Sequence, residues 1–185
     1  MRKTLLTGCI WVLAAATLSV AQPGPKLGVG AFAGLSFPAL QDDQSQGMEY
    51  GFRGRVGFGS LFVVEPYVSF VKWGEPDPAG DVDLGIDGSK VTSFGIEAML
   101  GNLPGVRGFA PFFFAGFGSY KVENEDTGYE GSKLGWSAGL GVGFGLSPQF
   151  SLDVRGRAMI APQEEGGSKK GLGVIAGINY SLGGE

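Results

Sequence analysis

Hydrophobic side chains recur at every second position through eight segments of the chain, the period that places alternate residues on opposite faces of a β-strand. The pattern is clearest in the sixth segment, where Leu134, Trp136, Ala138, Leu140, Val142, Phe144 and Leu146 interleave with Gly135, Ser137, Gly139, Gly141, Gly143 and Gly145. One face is greasy and the other almost bare. The first segment runs from Leu27 to Phe37, the second from Tyr50 to Phe58, the third from Phe62 to Phe70 and the fourth from Thr92 to Leu100. The seventh runs from Phe150 to Ala158 and the eighth from Leu172 to Leu182. In the fifth, Phe109 to Tyr120, the consecutive rings Phe112, Phe113 and Phe114 occupy both faces and leave its orientation open.

The connections alternate between two kinds. Gly59-Ser60, Asn102 to Gly108 and Ser147-Pro148-Gln149 are short and rich in turn formers. Ala39 to Met48, Gly74 to Ser89, Glu123 to Ser132 and Ala161 to Lys170 are longer and hydrophilic. Strands that alternate in this way, with short turns at one end and longer loops at the other, predict an eight-stranded antiparallel up-and-down transmembrane β-barrel. About 11 residues per strand at roughly 3.3 Å each, tilted near 40°, rise some 28 Å, enough to cover an apolar band about 25 Å tall.

Composition supports an all-β chain. Glycine accounts for 35 of 185 residues, against a usual share of about 7%, and this excess disfavours helices. Charged residues are only 17%, and mean hydropathy is +0.13. There is no histidine, which removes Ser-His and Cys-His pairs and imidazole acid–base chemistry. A net charge of −4 argues against a nucleic-acid partner. Arg2 and Lys3, the apolar run Ile10 to Leu18 and the small-residue ending Ser19-Val20-Ala21 read as a secretory signal peptide over residues 1–21, with the barrel domain over 22–185. Cleavage there removes Cys9, the one cysteine, so no disulfide is expected.

The same alternation suits a soluble, lipocalin-like barrel, secreted or periplasmic, that binds a small apolar ligand with its greasy face inward. What the second face carries separates the two. It offers only Arg53, Arg55, Glu65, Glu97, Asp153, Arg155 and Arg157 across the eight strands, too few charges to solubilise a sheet. Turning four arginines to lipid near the midplane costs on the order of 8–16 kcal/mol. The expected register therefore puts these charges in a lumenal network, with glycines making room for the long arginines, and turns Leu, Val and Phe outward. Closure also satisfies every backbone N–H and C=O within a bilayer.

On these features the sequence resembles the small outer-membrane β-barrel proteins related to the OmpA transmembrane domain and OmpX, over residues 26 to 182. The most specific element is the last strand, where Gly177, Tyr180 and Leu182 match the family's C-terminal insertion signal, while Ile175 departs from its polar first position. Glu65-Pro66-Tyr67 and Ala110-Pro111-Phe112 look like the family's strand openings. The resemblance implies a bacterial outer-membrane location, outer-membrane lipid as surroundings and insertion by the barrel assembly machinery.

Other motifs are weaker. Gly135-Trp136-Ser137-Ala138-Gly139 spells a nucleophile elbow but lies in mid-strand, in a chain without histidine; Ser69-Phe70-Val71-Lys72 spells S-x-x-K on a strand instead of a helix. The four longer loops hold 13 of the 18 acidic residues: Asp42, Asp43, Glu75, Asp77, Asp81, Asp83, Asp87, Glu123, Glu125, Asp126, Glu130, Glu164 and Glu165. Asp81, Asp83 and Asp87 place oxygen ligands near one another, without the spacing or distal Glu of an EF-hand. Trp73 and Tyr129 adjoin these loops as candidate interface anchors. The expectation is a monomeric, non-enzymatic barrel without cofactor or metal, its polar lumen plugged. Its role is structural or adhesive, with an extracellular ligand engaged through the acidic loops.

Overall fold

The structure, a computed structural model, describes residues 25–39, 45–74, 88–101, 109–124, 128–163 and 167–182. The expected signal peptide, the Asp81–Asp87 segment and eleven of the thirteen loop acids (all but Glu123 and Glu130) lie outside the described residues. Eight strands follow in order: β1 (Lys26–Pro38), β2 (Ser45–Phe58), β3 (Phe62–Gly74), β4 (Lys90–Gly101), β5 (Phe109–Asn124), β6 (Tyr129–Gly145), β7 (Phe150–Pro162) and β8 (Ser168–Leu182). Each pairs antiparallel with the next, and β8 returns to β1, closing an up-and-down barrel.

The register fixes the shape of the cylinder. Starting at Phe37 and stepping around through Leu172, Ala158, Ala138, Ala115, Ala98, Val64 and Val56 leads back to β1 at Leu27, ten residues from the start. A stagger of ten over eight strands requires a tilt of about 40° and a radius of about 8 Å. Each residue then climbs about 2.5 Å along the axis, and each step to a neighbouring strand shifts the level by about 3 Å.

Side chains obey the two-residue period almost throughout. On β8, Leu172, Val174, Ile178, Tyr180 and Leu182 are exposed while Ile175 and Asn179 are buried. The ambiguous fifth segment resolves the same way: Phe109, Phe113 and Phe117 point outward, and Phe112 and Phe114 inward. The outward row forms an apolar belt about 27 Å tall between the levels of Phe109 and Phe37. This orientation rules out the lipocalin-like alternative, whose apolar face would be inside.

Two expectations need correction. The loops at 39–48, 123–132 and 161–170 are shorter than the hydropathy suggested, because the strands continue past the belt. The pairing of β5 with β6 runs up to Asn124↔Tyr129, and that of β7 with β8 to Pro162↔Ser168. Above the belt water replaces lipid, so paired strands tolerate polar residues on both faces and the apolar signal fades before the strand does. The prolines are also not confined to strand openings. Pro66 lies within β3, and the β2–β3 register passes from Arg53↔Tyr67 to Val56↔Val64 around it. Proline has no N–H to give the ladder, and opposite it Gly54 leaves room, since a Cβ there would stand 3.1 Å from Pro66 Cγ.

Candidate functional site

Inward-facing positions of five strands bring the charges together inside the cylinder. β7 contributes Asp153, Arg155 and Arg157 at successive inward positions, β2 contributes Glu49, Arg53 and Arg55, and β3, β4 and β8 add Glu65, Glu97 and Asn179. Glu65, Asp153 and Arg155 are essentially without solvent contact, and Arg53, Glu97 and Arg157 are nearly so. Arg55, toward the turn end, keeps the most exposure, 11% of its side chain.

Arg155 is the centre of the larger group. Its Nη1 and Nη2 donate to Glu65 Oε2 and Oε1 at 2.6 and 3.0 Å, a bidentate pair, and its Nε donates to Asp153 Oδ1 at 2.9 Å. Its guanidinium also lies 5.1 Å from the Phe112 ring centroid and 5.3 Å from that of Phe114. Arg53 Nη2 donates to Asp153 Oδ2 at 2.7 Å and its Nε to Asn179 Oδ1 at 3.0 Å. Arg55 joins Glu65 and Asp153 at 2.5 and 3.2 Å. Nearer the loop end, Arg157 donates to Glu49 Oε1 at 2.5 Å, forms an ion pair with Glu97 Oε1 at 3.2 Å, and stands 4.8 Å from the Tyr67 ring. A 3.6 Å contact between Arg155 and Glu97 links the two groups.

Glu49 and Asn179 are the two members that sequence reasoning missed. Both were legible by continuing the alternation: Glu49 precedes Gly51 and Arg53 on the same face, and Asn179 follows Gly177. Counting Glu49, four arginines meet four carboxylates, so the network is neutral. A low-dielectric site tolerates that arrangement and penalises an unpaired charge.

The interior is less polar than expected. Val71, Trp73, Val91, Tyr120, Val122, Met159 and Ala161 form an apolar collar at the loop end, and Val63, Met99, Phe112 and Phe114 line one wall lower down. Trp73, one of the two candidate interface anchors, is not one: it is fully buried in the collar with its Nε1 donating to Ser36 Oγ at 3.0 Å; the side chain of Tyr129 lies outside the described residues. The glycines of β6 serve these rings more than the arginines. A Cβ on Gly135 or Gly139 would come within 2.6 Å of the Tyr120 or Phe114 ring, and one on Gly141 within 2.5 Å of Phe112. Rings on β5 thus lie across the bare backbone of β6. Gly177 does make room for an arginine, since a Cβ there would collide with Arg53 Nη2.

The two serine motifs are absorbed by this packing. Ser137 Oγ donates to Glu97 Oε1 at 2.8 Å, and Ser69 Oγ bonds Ser93 Oγ at 2.7 Å. In the last strand, Tyr180 points outward and packs on Phe150 with ring centroids 5.0 Å apart, and Leu182 also faces out.

Residues 5–161 match the family described as outer membrane protein beta-barrel domain. The chain belongs to that family. Its location is the bacterial outer membrane, and the exposed belt is the surface that meets acyl chains. No curated protein matches the chain in sequence. Among solved structures, the chain is similar to Neisserial surface protein A, with a TM-score of 0.61 at 14% identity, covering 86% of this chain and 98% of that one. The N-terminal barrel domain of Pseudomonas aeruginosa OprF gives 0.52 at 17%, covering 86% and 100%. A de novo designed transmembrane β-barrel gives 0.51 at 12%, covering 87% and 98%. A barrel designed without a natural history is as similar as OprF, so these likenesses speak for the fold alone.

Proposed function

We propose that the protein is a non-enzymatic, monomeric outer-membrane barrel with a plugged lumen, serving envelope integrity or adhesion through its extracellular loops. The observation that carries this reading is the interior itself. A cylinder of about 8 Å radius has room for little beyond its own side chains, and here paired arginines and carboxylates fill the lower part beneath an apolar collar. Removing either partner of such a buried pair typically costs about 3–5 kcal/mol, so the charges hold one another in place. In this reading the loop end faces outward, the acids of residues 39–48, 74–89, 123–132 and 161–170 meet an external ligand, and Gly177, Tyr180 and Leu182 engage the barrel assembly machinery. The absence of histidine and the structural bonding of Ser69 and Ser137 support a role without catalysis.

Planar-bilayer recording tests the plug. The wild type is expected to show no steady conductance of the size of a diffusion pore, and a stable open current would refute the reading. Charge removal at Glu75, Asp77, Asp81, Asp83 and Asp87 tests the loops: adhesion of expressing cells to a polycationic surface should fall while folding, read by heat-modifiable migration, persists. Unchanged adhesion would refute the role of the loops.

A further inference from the structure

Proline belongs at the edges and ends of sheets, because it has no N–H to give a ladder. Pro38, Pro111 and Pro162 lie at or near strand ends; Pro66 does not. It is exposed on the outer face of β3, and carried through the register and tilt it sits about 14 Å from either margin of the belt, at the depth of the bilayer midplane. The pairing of β3 with β4 runs unbroken through Pro66↔Ile96, whereas that of β3 with β2 skips Gly54 and Arg55, between Arg53↔Tyr67 and Val56↔Val64. The donor that Pro66 lacks is therefore the one that the Gly54 carbonyl would have accepted. A missing rung is costly at this depth, where hydrocarbon offers no replacement. The other seven pairings carry no such gap within the belt, so β2–β3 is the weak seam of the wall.

The two faces of the seam are occupied differently. Outside, the Pro66 ring lies over Gly54, where a Cβ would stand 3.1 Å from its Cγ. Inside, the next residues along, Arg55 and Glu65, are joined by a hydrogen bond from Nε to Oε1 at 2.5 Å. A side-chain bond thus spans the two strands beside the place where the backbone bond is missing. Each partner also has a second hold. Arg55 Nη2 reaches Asp153 Oδ2 on β7 at 3.2 Å, and Glu65 accepts two bonds from Arg155 at 2.6 and 3.0 Å. Parting Arg55 from Glu65 therefore leaves neither charge alone, which is what allows the contact to release.

We propose that the Arg55–Glu65 pair is a latch across the Gly54–Pro66 gap. Closed, it substitutes for the missing backbone rung and holds β2 against β3. Released, with Arg55 turned to Asp153, it lets the two strands part locally at the midplane. The alternative partners of the two side chains give the latch its second state. It belongs to the wall of the barrel, so it stands or falls apart from what the loops bind.

The test is amide hydrogen exchange, read residue by residue by NMR on the folded protein in phosphocholine nanodiscs. Bonded pairs alternate along an antiparallel ladder, so Val56 and Val64, the pair beyond the gap, exchange both of their bonds and report on the seam. Ala138 and Leu140 on β6, across the barrel, report on the whole. R55M should speed exchange at Val56 and Val64 about ten-fold or more and leave Ala138 and Leu140 unchanged. P66V restores the N–H, suits a lipid-facing strand and keeps every charge; it should slow exchange at Val56 and Val64, and in its background R55M should alter them less than about two-fold. No acceleration in R55M, equal acceleration at all four amides, or an effect that P66V does not suppress would overturn the proposal, as would exchange in P66V no slower than in the wild type. If R55M does not fold, shown by loss of heat-modifiable migration, the latch requires that R55M/P66V does, because the restored rung replaces the pair; failure of both would overturn it.

Discussion

Glu65 is the most exacting place to test whether the interior is a dry, interlocked network. Its side chain has no solvent exposure and accepts three hydrogen bonds from guanidinium groups, two from Arg155 and one from Arg55, at 2.6, 3.0 and 2.5 Å. Hydrogen bonds to charged groups contribute about 1.5–3 kcal/mol each, so Glu65→Gln puts a gross 4.5–9 kcal/mol at stake. Part of that returns. Asp153 still holds Arg155, and Arg55 is near enough to the turn end to swing toward water. The expected net loss is about 3–5 kcal/mol, the usual cost of leaving one member of a buried pair behind.

A double-mutant cycle isolates the electrostatic part. Arg155→Met should cost a similar amount, because Glu65 would then keep only Arg55. Combining the two substitutions removes one charge of each sign and restores neutrality, so the double variant should be less destabilised than the sum of the singles by at least about 2 kcal/mol. The assay is urea unfolding from phosphocholine vesicles followed by tryptophan fluorescence, with a constant denaturant slope as the check on two-state behaviour. Losses below about 1 kcal/mol that simply add would show that water reaches the charges, and the argument from burial would be wrong.

Two further predictions probe the outside and the collar. Leu140, 72% exposed near the middle of the belt, and Phe109, 66% exposed at its turn-end edge, differ in depth and little else, so Leu140→Arg should cost about 2–4 kcal/mol and Phe109→Arg about 0–1; equal costs in the same titration would mean that the belt is misplaced. Trp73→Ala should destabilise the barrel by about 3–5 kcal/mol and raise ion leak in planar bilayers by opening the collar, and a variant of unchanged stability would show that the collar is not packed as described.

Most of the architecture was legible because a lipid-facing barrel writes its outer face into the sequence with little interference. Every second residue must be apolar wherever acyl chains press on the strand, and Leu134 through Leu146 can satisfy that rule in only one way. The limits of the reading follow from the same cause. Where lipid gives way to water, at Lys121 to Asn124 and at Tyr129 to Lys133, the constraint vanishes and the strands continue unannounced. Glu49 was lost for this reason, since it lies beyond the clean alternation that begins at Tyr50. Trp73 could be offered only as a candidate anchor because an aromatic residue near a belt edge suits either face, and only three-dimensional closure shows the Ser36 hydroxyl that accepts its N–H.

The inner face is legible in kind but not in detail. Sparse charge with abundant glycine announced a lumen, yet which side chain each glycine accommodates depends on the stagger of ten residues, and a stagger is a property of all eight pairings together. Shifted by two residues, Gly141 would no longer lie under Phe112, and Asp153 would lose the Arg53 guanidinium that Gly177 makes room for. Stagger, glycine pattern and salt bridges therefore constrain one another. The charges favour the one register in which each guanidinium meets a carboxylate, and the bare backbone opposite the rings penalises its neighbours. That mutual constraint assigns the network a role the hydrophobic belt cannot perform, because sliding one strand past another by two residues keeps every Leu and Phe facing lipid. Beyond the tight turns, which pin the register of the hairpins they close, the interior distinguishes the correct cylinder from its slipped alternatives.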